Sequence, residues 1–362
     1  MGIHKTPYGT WIVRWTDPWG RQKGKTFKTK GDANAFLRRT LGDMARGEYI
    51  DPRRSRLSLA QWADDWLEGA RNLTRGGRDT YRRDLDRHIL PVLGKVPVGK
   101  LQAADIDRYL TERARSYQPS TVHRHYRTLH RMLAVAVERG LIARNPCEHV
   151  HPPRIPRTEM TVLDAGQVDA LATAITPRYR AWVYVMAYGG LRWSEAVGLQ
   201  RRHIDGARVA VVEQLVHRGR GEWERCEPKS GSRRTVTLPT FAADELTAHL
   251  DTYALKGDDG LVFCTRNGTP LQAPSFRQNT FRRALAKAGL PAIRVHDLRH
   301  TAISLAIAAG ANPKLSQARA GHSSIGIHLD RYGHLFPGAD ETVAAALDEL
   351  HAKAQRGRLR AV

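Results

Sequence analysis

The 362-residue chain is poor in cysteine and lacks any sustained apolar run. Cys147, Cys226 and Cys264 are odd in number and far apart, a pattern that fits neither a disulfide framework nor a cysteine-based zinc cluster and suits a reduced compartment. No stretch approaches the ~18 apolar residues of a membrane span, and the first residues lack the apolar core of a secretory signal, so no membrane partner is expected. Acidic residues are the minority: 36 Asp and Glu against 58 Lys and Arg give a formal net charge of +22 and a pI near 10.4. A field of that sign favours a polyanionic partner. The plainer alternative is a basic surface that serves solubility, but basic residues recur in all parts of the chain. Hydrophobic residues make up 41%, enough for a folded core, and the length suits two or three domains. No internal repeat is evident.

Residues 1–55 read as a small module, a three-stranded sheet with one helix. Thr10 to Trp15 is aromatic and β-branched, Asp17-Pro18-Trp19-Gly20 is turn chemistry, and Arg21 to Thr29 supplies a return strand. Asp32 is the expected N-cap of a helix running to about Arg46. Lys23, Lys25 and Lys28, with Lys30, stud this hairpin either as guards of a solvated edge strand or as contacts to a DNA groove. Residues 56–151 read as a helical bundle. Ser58 caps a helix with Leu59, Trp62, Ala63 and Trp66 at core spacing. A helix over Gly77 to Ile89 carries Arg82 and Arg83 and ends at Leu90-Pro91-Val92-Leu93-Gly94. Further helices cover Ala103 to Arg115 and Pro119 to Arg139, the last with Arg124 and Arg127 on its basic face. Residues 152–162 form a stiff, proline-rich linker with Pro152, Pro153 and Pro156. Residues 163–362 are expected to be mainly α-helical. One small antiparallel sheet interrupts them, with strands at Arg208 to Val216, Glu222 to Glu227 and Arg234 to Leu238. A terminal helix spans about Ala339 to Ala354.

Four segments carry chemistry: Gly189-Gly190-Leu191-Arg192-Trp193-Ser194-Glu195, the turn Pro228-Lys229-Ser230-Gly231, His296-Asp297-Leu298-Arg299-His300, and Ala320-Gly321-His322 followed ten residues later by Tyr332. Breaking a phosphodiester in place needs an in-line nucleophile, cations on the non-bridging oxygens and an acid for the leaving oxygen. Arg192 and Arg299 offer permanently charged, forked donors for a phosphate. Glu195 sits in a first helical turn, where it can orient Arg192. Tyr332 has a phenol whose ordinary pKa near 10 calls for nearby cations or a base. His296 and His300 stand at the i, i+4 spacing of paired metal ligands, but the glutamate of that zinc motif is missing and Arg299 lies beside them, so no metal and no other cofactor is expected.

In order and spacing these segments resemble the tyrosine recombinase (phage integrase) family, and the resemblance is strongest from Gly189 to Leu335. It implies an arm-type DNA-binding domain at 1–55, a core-binding domain at 56–151 and a catalytic domain at 163–362. It also implies Tyr332 as nucleophile, Arg192, Arg299, His296 and His322 around the scissile phosphate, and Lys229 as the acid. His296 is the implied receiver of the tyrosine proton. Many relatives have Thr where this chain has His328, a position with no catalytic role in the family pattern. The implied activity is site-specific recombination through a 3′-phosphotyrosyl bond and a Holliday junction. The implied partners are double-stranded DNA attachment sites, three further copies of the chain, and a directionality factor or host DNA-bending protein, in the cytoplasm of a bacterial host. A type IB topoisomerase and a non-enzymatic DNA-binding regulator are the alternatives; the N-terminal module and terminal helix argue against the first, the complete Arg-Lys-His-Arg-His-Tyr set against the second.

Overall fold

The computed structural model describes residues 2–18, 20–47, 49–50, 54–156, 160–219, 221–336, 344–352 and 354. The chain divides into two compact units, residues 1–157 and 158–362.

The first unit opens with an antiparallel sheet of Gly2–Lys5, Trp11–Thr16 and Gln22–Phe27, in which Val13 lies opposite both Ile3 and Lys25. Alternation along the central strand sends Val13 and Trp15 inward, where they meet Ala33 and Tyr49. The Trp15 indole donates to the Tyr49 hydroxyl at 2.9 Å. The following helix, Lys30–Ala45, is capped by Thr29 rather than Asp32. Thr29 keeps the extended conformation a cap needs and accepts from the Asp32 N–H, which leaves the Asp32 carboxylate in the first turn, where the helix dipole favours it.

The helical part of this unit starts at Ser58, which forms a reciprocal capping box with Gln61. Helix Leu59–Gly69 buries Leu59, Trp62, Ala63, Trp66 and Leu67. The next helix, Arg75–Asp84, does not end at Pro91 as its sequence suggests. A five-residue π turn, Leu85–Ile89, widens the spiral, and helix continues over Leu90–Leu93. Proline lacks an N–H, and the wide turn just before it removes the demand for that bond. Helices Ala103–Ala114 and Pro119–Glu138 close the bundle around Ile106, Leu110, Val122, Leu129 and Leu133.

The second unit is helical with two small sheets. Its core gathers Leu171, Trp182, Met186, Leu191, Val197, Phe263 and Leu298. The expected single sheet is in fact two: Ile204–Asp205, Arg208–Val211 and Arg234–Thr237 form one, and Gln214–Gly219 with Glu222–Cys226 forms the other. The predicted strand over 208–216 breaks at Val212 and Glu213 because its second half is held by a neighbouring helix. Gly198, in helix Trp193–Gly198, lets that strand come so close that a Cβ there would lie 2.7 Å from the Leu215 nitrogen, and Ser194 donates to Gln214 at 2.8 Å. The turn carrying Lys229 therefore links two sheets instead of closing one hairpin. Of the expected terminal helix, residues 344–352 are helical and 339–343 lie outside the described residues. Among the described residues no helix is long and apolar enough to cross a membrane.

Candidate active site

Arg192 is the N-cap of helix Trp193–Gly198. Its backbone N–H donates to Glu195 Oε2 at 2.8 Å and its Nη1 to Glu195 Oε1 at 2.6 Å, so the i+3 spacing read from the sequence closes on itself. Glu195 is buried and carries a second guanidinium, with Arg234 Nη2 2.8 Å from Oε2 and Nη1 3.3 Å from Oε1. Burial alone would raise this carboxyl. The hydrogen bond and charge of Arg234, together with Arg192, outweigh burial and hold it at about 2.

Arg299 projects from helix Asp297–Ala308 into the same place and is only 2% exposed. It donates to the Gly190 carbonyl at 2.6 Å and to the Ala320 carbonyl, while Arg192 Nη2 donates to the Gly321 carbonyl at 2.9 Å. Gly190 and Gly321 end their helices in the left-handed region, φ +67° and +61°, so the cations meet the carbonyl-rich ends of two helices. Burial, then the charges of Arg192 and Arg234, pushes Arg299 down to about 9, which still leaves it charged at neutral pH.

The segment after Gly321 brings in the remaining groups. His322 Nδ1 lies 2.9 Å from His328 Nδ1, a contact in which one ring donates and the other accepts. The His322 ring lies nearly parallel to Tyr332, 14° between planes and 6.0 Å between centroids. Burial and the Arg299 charge lower His322 to about 3, so its ring is neutral in the free protein. Tyr332, the last residue of helix Ile325–Tyr332, is fully buried, and its hydroxyl is 2.5 Å from His300 Nδ1. Burial pushes the phenol up to about 12 against the opposing charges of Arg299 and Arg331. His296 stands at the exposed rim, edge-on to His300 with centroids 5.0 Å apart; desolvation by its surroundings and the Arg299 charge lower its pKa.

Arg192, Arg299, His322 and Tyr332 thus converge on one site, and His296 reaches it through His300. Lys229 is exposed on the turn Lys229–Gly231. That turn is tied to the pocket by Ser232, whose hydroxyl donates to the Lys229 carbonyl at 3.1 Å and accepts from Arg192 at 3.2 Å. Ser232 has no signal in the sequence. His328 is visible only as a departure from the family pattern, yet it contacts His322 and packs 5.0 Å from the Tyr332 ring. The described residues contain no group of three His, Cys, Asp or Glu arranged to hold a metal.

The candidate DNA-binding residues divide by their partners. Lys23 pairs with Asp17 at 3.9 Å, and the Lys25 ammonium lies over the Phe36 ring at 4.7 Å. Arg82 is held by Asp64 and Asp86, and Arg124 grips the buried Asp84 through both carboxylate oxygens. Lys28, Arg83 and Arg127 are exposed.

The phage integrase family model matches residues 161–338, and the model of the phage integrase central domain matches 59–152. The putative prophage phiRv2 integrase of Mycobacterium tuberculosis is 30% identical over 357 residues, 94% of this chain and 93% of that one. The integrase of Mycobacterium phage L5 is 29% identical over 346 residues, 90% of each chain. Among solved structures, the Tn1549 transposon integrase in complex with a circular intermediate DNA superposes with a TM-score of 0.69 at 20% identity, covering 81% of this chain and 99% of that one. A lambda integrase tetramer bound to a Holliday junction gives 0.60 at 16% identity, covering 89% and 95%. The pocket built from Arg192, Glu195, Arg299, His322 and Tyr332 sits within the matched segment, and the chain belongs to the phage integrase family, as a tyrosine site-specific recombinase.

Proposed function

We propose that this chain cleaves each strand of a double-stranded attachment site with Tyr332. The Tyr332 oxygen bonds to phosphorus, and the bond to the 5′-oxygen breaks. Arg192, Arg299, His296 and His322 hold the phosphate oxygens as charge builds on them, and Lys229 protonates the leaving 5′-oxygen. The partner strand's 5′-hydroxyl then attacks the phosphotyrosyl bond, and two such rounds pass through a Holliday junction. The reaction needs no metal or nucleotide. The observation that carries this reading is the convergence of two guanidiniums, an imidazole and a buried phenol, with the Gly190–Arg192 segment meeting the other three groups from over 100 residues away in sequence, as in the Arg299 bond to Gly190 and the Arg192 bond to Gly321.

The working assembly in this reading is a tetramer on DNA, as the lambda integrase tetramer on a Holliday junction suggests. Leu347 and Leu350, 58% and 62% exposed on the helical residues 344–352, supply an apolar face for a neighbouring subunit. Residues 1–55 bind arm-type DNA, 56–151 the core site, and 152–162 link them to the catalytic domain at 163–362. Lys28, Arg83 and Arg127 contact phosphates. The setting is the cytoplasm of a bacterial host, with a directionality factor or DNA-bending protein as a further partner.

The test is Tyr332→Phe on a nicked suicide duplex carrying a core site selected by the full-length protein from a randomised DNA pool. The variant is expected to bind that DNA with wild-type affinity and to form no covalent adduct. An adduct from the variant would refute the assignment.

A further inference from the structure

The resemblance to the family points to His296 as receiver of the tyrosine proton, but the hydroxyl of Tyr332 is held by a different ring. His300 Nδ1 lies 2.5 Å from it, and His300 is 4% exposed. His296 is one step removed, at the rim and edge-on to His300. We infer that His300 takes the Tyr332 proton during strand cleavage and returns it during resealing. This rests on Tyr332 as the nucleophile.

For Nδ1 to accept, the imidazole must be neutral with its proton on Nε2. Its surroundings enforce neutrality. Burial, then the neighbouring His296, lowers it to about 4, and Asp297 opposes this only in part. The charged and titratable groups facing it are His296 and Asp297 on its own helix, Arg294 before that helix, and Arg331 and Tyr332 on the facing helix. The phenol, held at about 12, keeps its proton at neutral pH until something removes it. In that tautomer a buried hydroxyl faces a buried lone pair 2.5 Å away, which provides the route. Two changes on DNA binding favour the transfer. The phosphodiester brings negative charge into the pocket, which raises the basicity of the imidazole. As the Tyr332 oxygen bonds to phosphorus, its own proton becomes strongly acidic. The proton therefore leaves as the P–O bond forms, not before.

The balance is complete within the chain and its substrate. In cleavage, Tyr332 Oη bonds to phosphorus and its proton passes to His300 Nδ1; the phosphorus–O5′ bond breaks, and the 5′-oxygen takes a proton from Lys229. Resealing reverses both transfers: the attacking 5′-hydroxyl gives its proton to Lys229, and the His300 imidazolium returns one to the phenol.

The experiment compares wild type with His300→Asn in single-turnover adduct formation on the selected suicide duplex, from pH 6 to pH 9. The Asn amide oxygen preserves an acceptor for the hydroxyl but takes no proton. We expect DNA binding unchanged within about twofold, adduct formation roughly 10²-fold slower at pH 7, and a rate that climbs about tenfold per pH unit, as removal by hydroxide requires. His300→Ala should be slower still and regain rate with added imidazole, which a purely structural role would not allow. A wild-type rate in His300→Asn, or a faster one as expected if the contact merely restrains Tyr332, overturns the inference. An adduct mapped to another residue overturns the nucleophile reading as well. Independently of any variant, 15N-histidine spectra of the full chain should show His300 Nδ1 unprotonated and Nε2 protonated at pH 7; a protonated Nδ1 overturns the inference.

Discussion

Replacing Glu195 by glutamine keeps the shape of the side chain and removes the charge that two arginines share. The two carboxylate oxygens accept four donors, the Arg192 N–H and Nη1 and the Arg234 Nη1 and Nη2. A glutamine offers one oxygen and turns an NH2 toward a guanidinium, so two of the four bonds are lost and a donor faces a donor. The magnitude follows from the carboxyl itself. Its fall from 4.5 to about 2 on folding corresponds to roughly 3 kcal/mol at neutral pH. Breaking a buried ion pair from one side costs about 3–5 kcal/mol, in agreement. Because the folded pKa is the lower one, this stability is fully present above about pH 4.5 and is lost as pH falls through about 2. Urea unfolding of wild type and Glu195→Gln should therefore differ by about 3 kcal/mol from pH 7 down to about pH 4.5, and the gap should narrow below that. Adduct formation should fall roughly 10²-fold, because Arg192 loses the group that fixes its fork. A gap under about 1 kcal/mol at pH 7, or one that widens on acidification, would refute the role of Glu195 as shared counter-ion.

Lys229→Ala should cleave an ordinary substrate roughly 10²-fold more slowly and regain its rate on a duplex with a 5′-bridging sulfur, whose departure needs no proton; a rate that stays low would remove Lys229 from the acid role. Arg83→Ala and Arg127→Ala should each lower the slope of log affinity against log salt by about 0.9, measured by fluorescence anisotropy. Arg124→Ala should instead lower the thermal midpoint, because Asp84, with its side chain 1% exposed, loses both contacts to Arg124. Gly321→Ala combines left-handed strain with a Cβ 3.0 Å from Arg234 Nη1 and 3.2 Å from its Cδ; cleavage should drop by about tenfold or more while the same anisotropy assay finds DNA affinity unchanged.

Local grammar made much of this legible. The Ser58 cap, the Trp62 and Trp66 stripe and the Arg192–Glu195 pairing all act within one helical turn, and the structure keeps each of them. Features that depend on distant partners were not legible. Arg234 reaches Glu195 from 39 residues away, and nothing in a strand of Arg-Thr-Val-Thr announces it. Val211 and Val212 continue a β-branched run, so the break after Val211 appears only once Gly198 brings a helix against the next strand. His300 looked like half of a metal pair because its spacing to His296 is local, whereas its partner, Tyr332, is 32 residues away. Thr29 shows that even a cap can be misassigned when two suitable oxygens lie three residues apart.

The pocket's arginines are held largely by main-chain oxygens, those of Gly190, Ala320 and Gly321. A carbonyl belongs to every residue type, so the acceptor beneath Arg299 does not depend on the side chain at position 320; what restricts that side chain is its packing, since Ala320 is buried in one cluster with Tyr332. The geometry of the cation cradle is thereby partly uncoupled from the chemistry of its neighbours, although Arg192 still depends on the side chains of Glu195 and Ser232. Position 321 adds a further constraint, since its acceptor is available only while the backbone stays left-handed. Substitution at that glycine therefore has almost no freedom, because no side chain placed there can stand in for an acceptor that the backbone itself must present.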